Sequence, residues 1–161
     1  MNTLMPEPHE AQQLFRLRTL RVQRAREQCA REQTLVAQAA HAVRERQRQI
    51  ERGRRAMDAL SHAVVHTLAP RLPRWSSVAG AQRERLADRL ERDEYALIDD
   101  ERRMEEAEER LQQARAELTR ALAREDAVRG LTQQVRKAHG RERELRSERE
   151  LEDQPQARRR L

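Results

Sequence analysis

An apolar residue recurs at every seventh position from Phe15 to Val64, and no other feature of the chain constrains its fold as tightly. The row is Phe15, Val22, Cys29, Val36, Val43, Ile50, Met57 and Val64, eight positions without an exception. Arg18, Ala25, Glu32, Ala39, Arg46, Gly53, Leu60 and Thr67 lie between them. A strict seven-residue repeat over this length holds one face of a helix against a partner helix in a left-handed supercoil. It also decides against disorder. With 39% charged residues, 2% aromatic residues and a mean hydropathy of −1.10, composition alone would fit an unfolded chain equally well. Ala25, Ala39 and Gly53 leave room for close approach of the partner helix. Arg18, Glu32 and Arg46 are too polar for a dry seam and predict loose, partly wet packing.

The partner helix follows in the same chain. Proline lacks a backbone donor and clashes with the preceding helical turn, so its placement marks where helices stop. Pro6 and Pro8 stand at one end and Pro155 at the other, while Pro70 and Pro73 fall together in Leu68–Gly80. Ser76 or Ser77 is then expected to cap a second helix. Its row is Leu90, Leu97, Met104, Leu111 and Leu118, with Ala107, Ala114 and Ala121 between. Asp93 and Asp100 interrupt it, and after Leu118 the apolar residues Leu122, Val128, Leu131, Val135, Ala138 and Leu145 fit no single seam. The expected fold is all-α: two long helices in an antiparallel coiled-coil hairpin, one domain over residues 1–161. The arms cover 10–68 and 81–153, the bend 69–80 and a frayed tail 154–161.

Charge supports the antiparallel pairing. Residues 91–109 carry ten acids against three arginines, and residues 38–56 carry six arginines against two glutamates. Opposite charges flanking a seam set orientation and register. A parallel dimer would set like charges side by side. Folding about residue 73 puts Met57 level with Leu90, Ile50 with Leu97, Val43 with Met104, Val36 with Leu111 and Cys29 with Leu118. Arg136–Glu152 is then expected to overhang as an unpaired helix.

The net charge of +6 belongs to the first arm, because residues 1–75 hold 14 arginines against seven acids while residues 76–161 balance 20 basic against 21 acidic groups. A single cysteine, Cys29, excludes an internal disulfide and fits a reducing compartment. No apolar run reaches the ~20 residues a membrane span needs. The expected location is the cytoplasm. Enzyme motifs are missing: there is no glycine-rich phosphate loop, nucleophile motif or cysteine pair. No cofactor or catalytic residue is expected. His62 and His66, four apart with Asp58 one turn earlier, have metal-ligand spacing, but histidines near a helix C-terminus also suit the local dipole. No metal site is assigned there. Function is expected on protein-contact surfaces: the arginines of the first arm, the apolar set Phe15, Leu17 and Leu20, and the bend residues Leu72, Trp75 and Val78.

The opening Leu14-Phe15-Arg16-Leu17-Arg18-Thr19-Leu20-Arg21-Val22 and the Arg/Glu-rich Arg141–Glu152 complete a pattern that resembles a known family. It is similar to the central stalk proteins of type III secretion and flagellar export, the YscO/FliJ (SctO) family, over roughly Leu14 to Asp153. The resemblance implies a stalk whose termini-bearing end enters the pore of a hexameric export ATPase. It implies that the bend faces the export gate protein in the membrane, and that secretion chaperones are possible further partners. The pore-facing residues would be Phe15, Leu17, Arg18, Leu20, Arg21 and Arg24 with Arg141, Arg143 and Arg146. The gate-facing residues would be Leu72, Trp75 and Val78. No nucleic acid and no membrane insertion are implied. A generic coiled-coil scaffold or chaperone escort would use the same periodicity. An RNA-binding hairpin would use the net charge, although its arginines are interleaved with acids and no aromatic platform accompanies them.

Overall fold

The computed structural model describes residues 6–66 and 72–158, with side chains for 6–66 and 75–151. Two helices account for nearly all of it: α1, Pro8–His66, and α2, Leu72–Arg158. They pack against each other antiparallel, as an all-α hairpin. Helix α1 begins where the chain supplies its own cap. The Glu7 amide donates to the Glu10 carboxylate at 3.2 Å, and Pro8, at the first helical position, has no amide to leave unpaired.

Helix α2 begins earlier than the sequence predicts. It starts at Leu72, so Pro73 lies in the first turn, where its fixed φ suits a helix. Ser76, Ser77 and Gly80 are helical, and neither serine acts as a cap. The bend expected over 68–80 therefore does not extend past residue 71, and residues 67–71 lie outside the described residues. At the far end α2 runs to Arg158, past the expected end of the arm at Asp153.

Two compact units are distinguished along the chain: Ala30–Gln113, and Met1–Cys29 together with Ala114–Leu161. In the 30–113 unit, Val43 and Ile50 are buried from α1, and Ala107 and Leu111 from α2. Leu90 and Gly53 meet closely: the Leu90 Cδ1 lies 3.3 Å from the point where a β-carbon on Gly53 would sit. Leu90 thus faces Gly53, about one turn from its expected neighbour Met57. A bulky leucine settles opposite the residue with no side chain, and the shorter bend moves the register with it.

In the other unit, Ala11, Val22 and Cys29 are buried from α1, against Ala114, Val128 and Val135 from α2. The seam does not lose phase after Leu118. It continues in sevens through Glu125 and Thr132, with Val128 and Val135 on the companion row, and all four are buried. Polar residues hide the repeat from an apolar count. The Thr132 hydroxyl donates to the Val128 carbonyl at 2.8 Å and lies 3.3 Å from the Ala11 carbonyl. The Thr19 hydroxyl donates to Glu125 at 2.7 Å. The overhang is also shorter than expected, because Pro6, Glu7 and Pro8 cover Val135, Ala138 and His139 around a cavity of about 140 Å³. From Arg141 to Leu151 every side chain is exposed.

Val43 is 6% exposed, so Val43→Asp sets an unpaired carboxylate between two helices. Burying such a charge is expected to cost several kcal/mol, whereas Gln47→Ala on the exposed side should change stability by less than about 0.5 kcal/mol. Thermal melts of the two variants check the seam directly, and equal melting temperatures would refute it.

Candidate protein-interaction surfaces

Three places carry enough charge or exposed apolar area to be functional, and they differ in how far their own chain satisfies them. The first is a polar layer inside the 30–113 unit. Arg46 occupies a seam position and reaches two carboxylates on α2. Its Nη1 donates to Asp93 at 2.9 Å and its Nε to Asp100 at 3.3 Å. The two aspartates fall seven apart, one on each side of the guanidinium, and Nη1 also donates to Gln49 at 3.0 Å. The hydrogen bond to Asp100 raises the Arg46 pKa above the ordinary arginine value, against an opposing effect of burial, with Asp93 adding to the rise. A raised pKa stabilises the fold at all pH values below the unfolded arginine's and is lost only in extreme alkali. Arg46 is therefore a fixed charge at any working pH. Glu32, another seam position, lies 3.5 Å from the Arg110 Nε. Asp93 and Asp100 thus belong to the seam, although the sequence read them as interruptions.

Around this layer most arginines of the 30–113 unit find acids. Arg54 pairs with Glu94 at 2.9 Å, Arg52 with Glu45 at 3.0 Å and Arg55 with Glu51 at 3.0 Å. The hydrogen bond from Arg52 holds the exposed Glu45 carboxyl below the usual carboxylate value. These surface pairs add little stability individually.

The second place is the beginning of α1, in the unit formed by Met1–Cys29 and Ala114–Leu161. Here Leu14, Leu17 and Leu20 stand 38%, 57% and 51% exposed. Arg16, Arg21, Arg24 and Arg26 are exposed beside them, and none forms an ion pair among the described residues. Phe15 and Arg18 differ from these. The Phe15 ring is half-buried with the Arg129 guanidinium 5.8 Å from its centroid. Arg18 is also half-buried, and its Nε is sealed from solvent without a hydrogen bond. Both face the seam, so the outward apolar strip is Leu14, Leu17 and Leu20. Sequence reasoning named Phe15 in place of Leu14 because a heptad row assigns faces only once its partner's register is known. Further along the same unit, Arg141 and Arg143 are exposed and form no ion pair among the described residues, while Arg146 pairs with Glu142 at 2.6 Å.

The third place adjoins the start of α2. Trp75 is 46% exposed and Val78 56%, while the Leu72 side chain lies outside the described residues. Leu60, Val64, Val65 and Ala79 line a shallow apolar groove of about 300 Å³ nearby. The His62 and His66 rings are in contact, with centroids 4.3 Å apart and planes tilted by 41°. Among the described residues no three His, Cys, Asp or Glu side chains gather as metal ligands, and no helix is long and apolar enough to cross a membrane. No known protein family, curated protein or solved structure matches the chain.

Removing one member of the Arg46 layer should expose its role. The Asp93 and Asp100 side chains are 17% and 11% exposed, so Arg46→Ala leaves Asp93 without a cation and Asp100 with only Arg103 at 3.5 Å. The expected loss is about 3 kcal/mol in chemical denaturation. The triple variant Arg46→Met, Asp93→Leu, Asp100→Leu should recover most of it. A triple variant no more stable than Arg46→Ala would show that the layer does not act through buried charge.

Proposed function

We propose that this chain is the non-enzymatic central stalk of a type III secretion system, acting at the cytoplasmic face of the secretion apparatus. The start of α1 and the arginine-rich part of α2 enter the pore of the hexameric export ATPase, and the region around Trp75 and Val78 faces the export gate. The single observation that carries the reading is the contrast in charge pairing. Arginines of the 30–113 unit are largely matched to carboxylates, whereas Arg16, Arg21, Arg24, Arg26, Arg141 and Arg143 form no ion pair among the described residues. Arg16, Arg21, Arg24 and Arg26 share the start of α1 with exposed Leu14, Leu17 and Leu20.

Both features suit a helix end held inside a protein ring. Arginine's long side chain and planar five-donor head reach carboxylates on surrounding loops, and the leucines contribute most where a ring excludes water. The resemblance in sequence pattern to export stalk proteins supplies the identity of the ring, and a general coiled-coil scaffold is the competing reading.

Replacing Arg21, Arg24 and Arg143 together by Glu should abolish stimulation of a purified type III secretion ATPase, with helicity and melting nearly unchanged because no ion pair of the fold is lost. The parent should stimulate when sub-stoichiometric to ATPase subunits, since one asymmetric hairpin serves a whole hexamer. If the triple variant stimulates like the parent, the start of α1 is not the pore-facing surface. Tight RNA binding without any effect on the ATPase would reject the stalk reading altogether.

A further inference from the structure

Beyond the stalk reading, two exposed features of the 30–113 unit have no use in that unit and are complementary to each other. One is a groove of about 340 Å³ between α1 and α2. Gly53 and Ala56 of α1 and Leu86 and Leu90 of α2 form its apolar floor, and Arg52 and Arg89 stand at its margins. It is open because Gly53 and Ala56 have almost no side chain to fill it. Asp93 also lines it, but its carboxylate is held by Arg46 at 2.9 Å. Arg89 is exposed and makes no ion pair among the described residues. The groove is thus apolar at its base, and its rim carries the unpaired Arg89 together with Arg52, which is shared with Glu45 at 3.0 Å.

The other feature is an apolar projection on α2. Tyr95 and Ile98, one helical turn apart, are 65% and 53% exposed in the middle of the most acidic stretch of the chain. Residues three, four and seven apart share a helix face, so Glu91, Glu94, Glu101 and Glu105 surround Ile98, with Arg102 the one cation among them, 3.9 Å from Asp99. Glu94 is engaged by Arg54 at 2.9 Å. Glu91, Glu101 and Glu105 make no ion pair among the described residues. Exposed apolar side chains ringed by unpaired charge have the make-up of an interface, with an anchor at the centre and a polar rim.

We propose that the carboxylate-ringed Tyr95–Ile98 projection of one copy of this chain docks in the Gly53 groove of another. The projection supplies an anchor for the apolar floor, and its unpaired glutamates meet Arg89 and compete with the exposed Glu45 for Arg52. A second copy is the occupant because the opposite half of the interface, apolar centre and acidic rim together, is present on the same chain. Groove and projection are different surfaces, so the contact is heterologous: copies join head to tail, closing into a ring or extending as a filament. The residues involved are separate from Leu14, Leu17, Leu20 and the arginines proposed for ATPase contact, so either reading can fail without the other.

Sedimentation equilibrium over a range of protein concentrations tests it. The parent should show mass-averaged self-association that weakens as salt rises, since the rim contacts are charged. Ile98→Ser, the pair Arg52→Glu and Arg89→Glu, and the pair Glu101→Arg and Glu105→Arg should each weaken association by about tenfold or more. Mixing the two charge-reversed proteins should restore it, because each then offers what the other's groove or rim lacks. A single chain carrying all four reversals should associate like the parent, which guards against simple misfolding of either pair. A parent that stays monomeric throughout, or reversed pairs that associate as the parent does, would overturn the proposal. Loss of association in the groove variant alone, without loss in the glutamate variant, would assign the groove to an occupant other than a second copy and overturn it equally.

Discussion

Everything in this hairpin depends on how two repetitive helices choose one register. A seam of valines, leucines and alanines repeating in sevens buries similar apolar area when one helix slides by a heptad, so hydrophobic contact alone discriminates poorly between alignments. The Arg46 guanidinium between Asp93 and Asp100 discriminates strongly. Any slide strands either the cation or the two carboxylates in a place with little water. Net stability gained from such a group is small compared with a well-packed apolar substitute, but the penalty for breaking it is large. The same holds for Glu125 under Thr19 and for Leu90 over the bare backbone of Gly53. These polar and steric fittings single out one alignment that the heptad rows leave undetermined.

The row from Phe15 to Val64 made the existence of two paired helices legible, because a phase kept that long admits no other partner geometry. Register was less legible. Pairing Met57 with Leu90 followed from placing the bend near residue 73, and the number of residues in a bend is not encoded in the periodicity of the arms. Helix α2 reclaims Leu72–Gly80, which moves Leu90 one turn along. The second half of the α2 seam was hidden for another reason. Glu125 and Thr132 sit in step with Leu111 and Leu118, yet a pattern search for apolar residues passes over them. Each is tolerated because a hydroxyl or carbonyl on α1 satisfies it. Thr19 and Ala11 give no sign of that role in sequence.

The exposed surfaces follow the same division. Excess apolar character near the start of α1 was visible from the closeness of Phe15, Leu17 and Leu20, since one partner helix covers only one face. Which of them turns outward was not, because Phe15 gains a cation–π contact from Arg129, a residue more than a hundred positions away. The Gly53 groove could not be foreseen either. It arises where two small residues on α1 meet two leucines on α2, and that juxtaposition exists only in the observed register.

Charge pairing connects fold to function. The cation that the fold needs, Arg46, is found between two carboxylates, and removing it alters the hairpin. Arg16, Arg21, Arg24 and Arg26 stand exposed on neighbouring turns of one helix, with Glu10 and Glu27 the nearest acids in α1. Such a series raises the local positive potential and disfavours the helix slightly through like-charge spacing, which the Val22 and Cys29 seam positions offset. A fold under pressure for stability alone gains nothing from this arrangement. Its cost is recovered only when an external surface supplies the missing carboxylates, and the neighbouring exposed leucines lose their water at the same moment. Among the described residues, the start of α1 is therefore where an acidic surface, if brought against it, would contribute most free energy.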